Sequence, residues 1–344
     1  MTEEIKEKET NIEETVREEA REGDNEGKPK KVRKEWAENE APFYRWLLAA
    51  ILGIALGYCN GILLAFLTRL ALSALTASGN MPYLDAEKDL LIAMASFVGV
   101  FTGLWVGLRL LCRTSLRAFL FGRDRKVNVK VTLITGALYL AGLGVSMLFV
   151  LPKLRLDPHP AGLVLLNLVF CLLLVWIQTT TEEILFRGFF LRAIYKNEIP
   201  PMRKGLLIAV GTSLLFMAGH LANPEVTTMS GIGIVITAST YFFSGFFMFL
   251  ADLLAGGLEA GVIMHWVNNF FCFVFLRNVV TALETPTILV DGSDDKLGLV
   301  SLFSVLIAFL GPIVYLTVRR IKQQPAKALT QEERKPVHEE ETGS

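Results

Sequence analysis

The chain has 344 residues, with 34 basic and 34 acidic side chains, no net charge and a 52% hydrophobic composition. Balanced charge gives no support for nucleic acid as a partner. Cys59, Cys112, Cys171 and Cys272 all lie in or at the ends of apolar runs without a CxxC spacing, which argues against a disulfide framework and a metal knuckle.

The average hides a segregation. Residues 1–41 hold fourteen acidic and nine basic side chains and almost nothing that could form a core. Residues 1–43 therefore predict a disordered, charged N-terminal segment, too long and too acidic to be a cleaved signal peptide. Eight apolar spans follow, at 46–68, 90–112, 129–151, 161–181, 204–221, 231–254, 258–277 and 298–318. Runs of about 20 residues are what an α-helix needs to cross about 30 Å of hydrocarbon. The expected fold is all-α, a polytopic membrane protein with about eight transmembrane helices over residues 44–320. The first span reads as part of a longer, tilted helix with Arg69 at its far end. Gly53, Gly57, Gly99, Gly103, Gly142 and Gly144 lie inside spans, where small residues permit close helix packing. Residues 321–344 read as a second disordered, charged tail. No internal repeat is visible.

Basic residues mark the cytoplasmic side of a membrane helix. "KPKKVRK" precedes the first span, Arg109 to Lys130 follow the second, Arg187 to Lys204 follow the fourth, and "RRIK" follows the last. The alternate connections are poor in basic residues. This pattern places both termini in the cytoplasm.

Ionisable groups in membrane spans are expensive, so they form a short roster. Glu182, Glu183 and Arg187 end the fourth span, and His220 ends the fifth. Asp252 and Glu259 flank the turn into the seventh, which contains His265, Asn268 and Asn269. Glu183 and Arg187 are four residues apart, share a helix face and can pair. Glu182 lies about 100° round the helix from Glu183 and points elsewhere. Phe216 with His220, and His265 with Asn269, repeat the four-residue spacing. Three helices thus each offer polar groups on one face. One difficulty is depth: His220 stands at the far end of its span, whereas Glu182 stands near the basic end of its own.

"EEILFR", "FMAGH" and "HWVNN", in this order, resemble the three motifs of the CPBP intramembrane proteases. That family includes the type II CAAX prenyl endopeptidases and the bacteriocin-processing and self-immunity proteins. The resemblance spans about residues 161–277. It implies a catalytic cavity between the fourth, fifth and seventh helices. It also implies hydrolysis of a membrane-associated protein or peptide substrate in the lipid bilayer. By resemblance, Glu182 activates water, His220 holds that water, and His265 with Asn269 stabilises the oxyanion. Glu183, Arg187 and Phe216 support them, with Asn268 in reserve for Asn269. The most frequent home of the family is a bacterial plasma membrane.

Such a reaction needs a base for water and donors for the developing oxyanion. The favoured reading requires no cofactor. The alternative is zinc held by Glu182, His220 and His265, a known His₂Glu arrangement with an open position, although no H-E-x-x-H occurs. A non-catalytic membrane adaptor or immunity protein on the same scaffold is a further reading. A transporter using Glu182 and Asp252 as relays lacks the expected repeat.

Overall fold

The computed structural model describes residues 41–77, 79, 81–121, 126–195, 200–292 and 297–332. The charged N-terminal segment expected over residues 1–43 lies outside the described residues up to residue 40.

The chain folds as an all-α bundle. Helix α1 runs Phe43–Thr76, α2 Pro82–Ala86, α3 Lys88–Gly107, α4 Leu116–Phe121, α5 Val129–Ser146 and α6 Ala161–Glu183. They are followed by α7 Phe189–Tyr195, α8 Met202–His220, α9 Pro224–Thr227, α10 Ile232–Ala255, α11 Glu259–Phe270 and α12 Leu299–Glu332. Single π-helical turns continue α3 over Leu108–Cys112, join α6 to α7 over Ile184–Gly188 and continue α11 over Phe271–Phe275. Such turns add a residue to the helical repeat and often mark functional positions.

Among the described residues, seven helices are long and apolar enough to cross a membrane: Phe43–Thr76, Lys88–Cys112, Val129–Phe149, Ala161–Leu191, Met202–His220, Ile232–Ala255 and Leu299–Gln323. The expected span at 258–277 is shorter. Its helix covers Glu259–Phe275, about 25 Å at 1.5 Å per residue. Leu276 turns extended (φ −145°, ψ 113°) because Leu276–Asn278 pairs with another strand. The first helix runs past Arg69 to Thr76, as its apolar sequence predicts. The expected tail from 321 is instead helical as far as Glu332, where Lys, Gln, Ala, Leu and Glu are good helix formers. Residues 333–344 lie outside the described residues.

The bundle has two ends. At one, β1 Leu154–Leu156, β2 Leu276–Asn278 and β3 Leu289–Asp291 form a small sheet in the order β1-β3-β2. β1 is antiparallel to β3 and β2 is parallel to it. Asp157 clamps this sheet end. Its Oδ2 accepts from Arg277 Nε at 3.0 Å and from the Thr287 hydroxyl at 2.9 Å, and Oδ1 stands 3.2 Å from His159 Nε2. Asn167 of α6 adds a tie, its Nδ2 donating to the carbonyls of Phe273 (2.7 Å) and Pro286 (2.8 Å). At the opposite, basic end, Arg320 donates to the Leu253 carbonyl (2.7 Å) and Leu258 N–H donates to that of Leu120 (3.2 Å). Because α11 begins at the basic end and leads into β2, it is the short eighth passage between the two ends.

α1 and α3 cross through facing glycine rows: Gly53, Gly57 and Gly61 meet Gly99, Gly103 and Gly107. A Cβ on Gly103 would lie 2.3 Å from the Gly57 nitrogen, and one on Gly99 2.3 Å from the Gly61 nitrogen. Only hydrogen at Cα allows backbones this close, and dispersion over that contact supplies the association that lipid does not. α6, α8, α10 and α11 pack together at the centre. Phe249, Leu258 and Met264 are fully buried among them.

Candidate active site

α6 does not end at the second glutamate. It continues through the π turn into α7, so Glu182 lies nine residues inside the Ala161–Leu191 span. That moves Glu182 away from the basic boundary and removes the depth difficulty: Glu182 Oε2 stands 4.0 Å from His220 Nε2.

The adjacent glutamates diverge. Glu183, fully buried, forms an ion pair with Arg187, and its Oε1 also accepts from His265 Nδ1 at 2.7 Å. The guanidinium lies 5.0 Å over the Phe216 ring and 3.5 Å from Met248 Sδ. Glu182 faces the other nitrogen of the same imidazole, with His265 Nε2 3.4 Å from Glu182 Oε2. Its Oε1 accepts from Gln178 Nε2 at 3.2 Å. His265 therefore bridges the two carboxylates, one at each ring nitrogen.

His220 is oriented in the same sense. Its Nδ1 is 2.7 Å from the Phe216 carbonyl oxygen. A carbonyl can only accept, so Nδ1 carries the proton and Nε2 is left towards Glu182. Phe216 packs against both imidazoles, with centroids 4.3 Å from His220 and 5.8 Å from His265. The F-x-x-x-H spacing thus supplies the carbonyl and the ring that fix the histidine one turn on. Tyr241 of α10 stacks on His220 at 4.5 Å and 23°.

In the third motif, Asn268 Oδ1 accepts from the Tyr139 hydroxyl (3.1 Å), and its Nδ2 donates to Asn269 Oδ1 (3.1 Å). That leaves the Asn269 amide nitrogen as the donor of the pair that Asn268 orients. Asp252 lies at the corner between α10 and α11, where its Oδ1 accepts from Gly261 N–H at 2.6 Å. Its placement is that of a corner brace.

Residues 163–271, with all these α6, α8 and α11 side chains, match the family described as type II CAAX prenyl endopeptidase Rce1-like. The likeness to the Rce1-like family covers this segment of the chain. A protein of Bacillus subtilis (strain 168), the uncharacterized protein YyaK, is 25% identical over 195 residues, 56% of this chain and 62% of its own length. The match thus covers less than two thirds of that relative. No solved structure matches.

The Rce1-like segment can be tested for a zinc site. Two zinc ligands at about 2.0–2.2 Å stand about 3.4 Å apart in a tetrahedron. Glu182 and His265 have that separation, but Glu182 and His220, at 4.0 Å, do not. Among the described residues no three His, Cys, Asp or Glu side chains are grouped to hold a metal ion. The expected Glu182–His220–His265 ligand set does not fit zinc as arranged.

Two further residues, Gln178 and Tyr241, belong to the candidate site but to none of the three motifs. Gln178 was legible, since it lies one turn before Glu182 on the same face. Tyr241 was not, because nothing in the sequence of α10 says which of its faces meets His220.

Proposed function

We propose that this Rce1-like protein is an intramembrane endopeptidase that hydrolyses a membrane-associated, CAAX-type protein or peptide with a glutamate-activated water. The carrying observation is that Glu182 Oε2 faces the Nε2 atoms of two histidines whose Nδ1 atoms are both tied to oxygen. A 4.0 Å gap between two polar atoms is one that a water bridges. In this reading Glu182 takes a proton from that water as its oxygen attacks the scissile carbonyl carbon. The tetrahedral oxyanion receives hydrogen bonds from Asn269 and from His265 Nε2, which donates with both ring nitrogens protonated because Nδ1–H is given to Glu183. Glu182 then returns the proton to the leaving amine as the C–N bond breaks. His220 holds the water in line. Glu183, pinned by Arg187, keeps the His265 ring facing Glu182, and Asn268 aligns Asn269. The basic end of the bundle faces the cytoplasm, with both termini on that side, in a bacterial plasma membrane.

Purified full-length protein in liposomes, given a farnesylated fluorogenic peptide ending in a CAAX sequence, provides the test. Glu182→Gln, His220→Ala and His265→Ala are expected to lose cleavage while inserting normally. Full activity of Glu182→Gln would overturn the mechanism.

A further inference from the structure

His220 ends its helix, so its ring lacks the following turn that would ordinarily wall it in. Two residues outside the three motifs occupy that place. Tyr241 lies face to face with the imidazole, 4.5 Å between centroids and 23° between planes. Asn223, three residues beyond His220, donates from Nδ2 to the Tyr241 hydroxyl at 3.0 Å. The Asn223 N–H returns to the His220 carbonyl at 3.0 Å. A closed loop results: the turn leaving α8 grips the tyrosine that covers the histidine from which the turn departs. Phe216 packs against the same imidazole at 4.3 Å, inclined at 41°. With Nδ1 bound to the Phe216 carbonyl, the ring has no freedom to rotate about χ2 without breaking that hydrogen bond and tilting out of the stack.

We infer that Tyr241 and Asn223 form a positioning pair that holds His220 Nε2 towards Glu182. The inference rests on the protease reading for its kinetic consequence. Its geometric content, an imidazole locked by a hydrogen-bonded tyrosine, stands without it. Stacked aromatic pairs prefer offset or tilted geometries and contribute beyond their buried area. An off-line ring costs rate because the water it holds misses the near-attack geometry. Substrate binding does not require the His220 ring to point one way, so the effect falls on kcat and not on KM.

The experiment uses the full chain in liposomes with the farnesylated CAAX reporter peptide. Tyr241→Leu, which removes both stack and hydroxyl, is expected to lower kcat about 5- to 10-fold with KM within about 2-fold. Tyr241→Phe keeps the stack and loses only the hydrogen bond, for a fall of about 2- to 3-fold. Asn223→Ala should match it, and the double variant Asn223→Ala/Tyr241→Phe should be no worse than either, because both remove one bond. Histidine-labelled protein gives a readout apart from activity. The His220 ring-proton signals, shielded by the tyrosine face, shift in Tyr241→Leu and stay in place in Tyr241→Phe. Wild-type kcat in Tyr241→Leu, an effect on KM alone, or unmoved His220 signals would overturn the pair. Should Tyr241→Leu fail to fold, the Asn223→Ala and Tyr241→Phe cycle decides, and additive losses refute it. If Glu182→Gln cleaves at the wild-type rate, the glutamate mechanism fails; if the wild-type protein leaves the reporter uncut, the protease reading fails; in either case the His220 signals alone judge the positioning.

Discussion

Alanine in place of Glu183 should do something different from alanine in place of Glu182, although the two are neighbours. Glu183 and Arg187 have side-chain exposures of 0% and 1%, so the pair sits in a dry interior. Without Glu183, the guanidinium retains the Phe216 ring at 5.0 Å and the Met248 sulfur at 3.5 Å, neither of which carries an opposing charge. Breaking a buried pair at one partner costs about 3–5 kcal/mol. His265 Nδ1 loses its acceptor through the same deletion, and two losses that share one carboxylate do not add. Among the described residues Glu182 accepts from Gln178 at 3.2 Å and faces His265 Nε2 at 3.4 Å, and losing the Gln178 bond costs about 1 kcal/mol. Denaturant titration of both variants in one detergent, followed by tryptophan fluorescence, measures the stabilities. Glu183→Ala is expected to be less stable by about 3–5 kcal/mol. Glu182→Ala is expected to lose about 1 kcal/mol and to lower cleavage about 10²–10⁴-fold. Equal stability losses, or a Glu183→Ala protein as stable as wild type, would refute the division of labour.

The α1–α3 crossing gives a second expectation. Gly103→Ala puts a methyl 2.3 Å from the Gly57 nitrogen and should destabilise by about 1–3 kcal/mol, while Gly144→Ala, which meets nothing within 4 Å, should not destabilise. The same denaturant titration checks both. At the sheet end, burial pushes the Asp157 carboxyl up, but hydrogen bonds from Arg277 and Thr287 and the charges of Arg277 and His159 outweigh it and leave it below the ordinary value. Its stabilisation is therefore present above the unfolded value of about 3.9 and fades as pH falls through the lower folded one. Asp157→Asn should flatten that acid limb of the stability curve. Glu87, fully buried just before α3 with neither oxygen hydrogen-bonded among the described residues, is pushed up to about 7 by burial. The sign reverses: its penalty is absent below the unfolded value and grows as pH rises to about 7. Glu87→Gln should stabilise at pH 8 and not at pH 4, measured by melting at both. Finally, the wide Glu182–His220 separation predicts that cleavage of the reporter peptide survives chelators and that metal analysis of purified protein finds no stoichiometric zinc.

Much of the architecture was legible because the bilayer imposes length and polarity on a chain one segment at a time. The spans at 90–112, 204–221 and 231–254 differ from the helices at their ends by only two residues or fewer. The apolar run of the passage at 259–275 continues through Leu276, and only the pairing of Leu276–Asn278 with β3 makes that end strand. The fourth span was read too short. "EEILFR" looks like a boundary by charge, and it becomes interior once Glu183, Arg187 and His265 neutralise and bond one another. Hydropathy has no means of knowing that a charge will meet its partner from another helix.

By itself the sequence determined a membrane bundle and three polar faces, because the periodicity of a helix is a local property. It also separated Glu182 from Glu183, since neighbours lie about 100° apart on a helix. The tertiary structure decided which atoms meet. It set both carboxylates against opposite nitrogens of His265, brought Tyr241 over His220, engaged Asn268 with Tyr139, and opened the Glu182–His220 distance beyond a zinc pair. Those outcomes depend on the rotation and depth of each helix against its neighbours, and these are set by packing across the whole bundle. A residue's own segment does not contain that information.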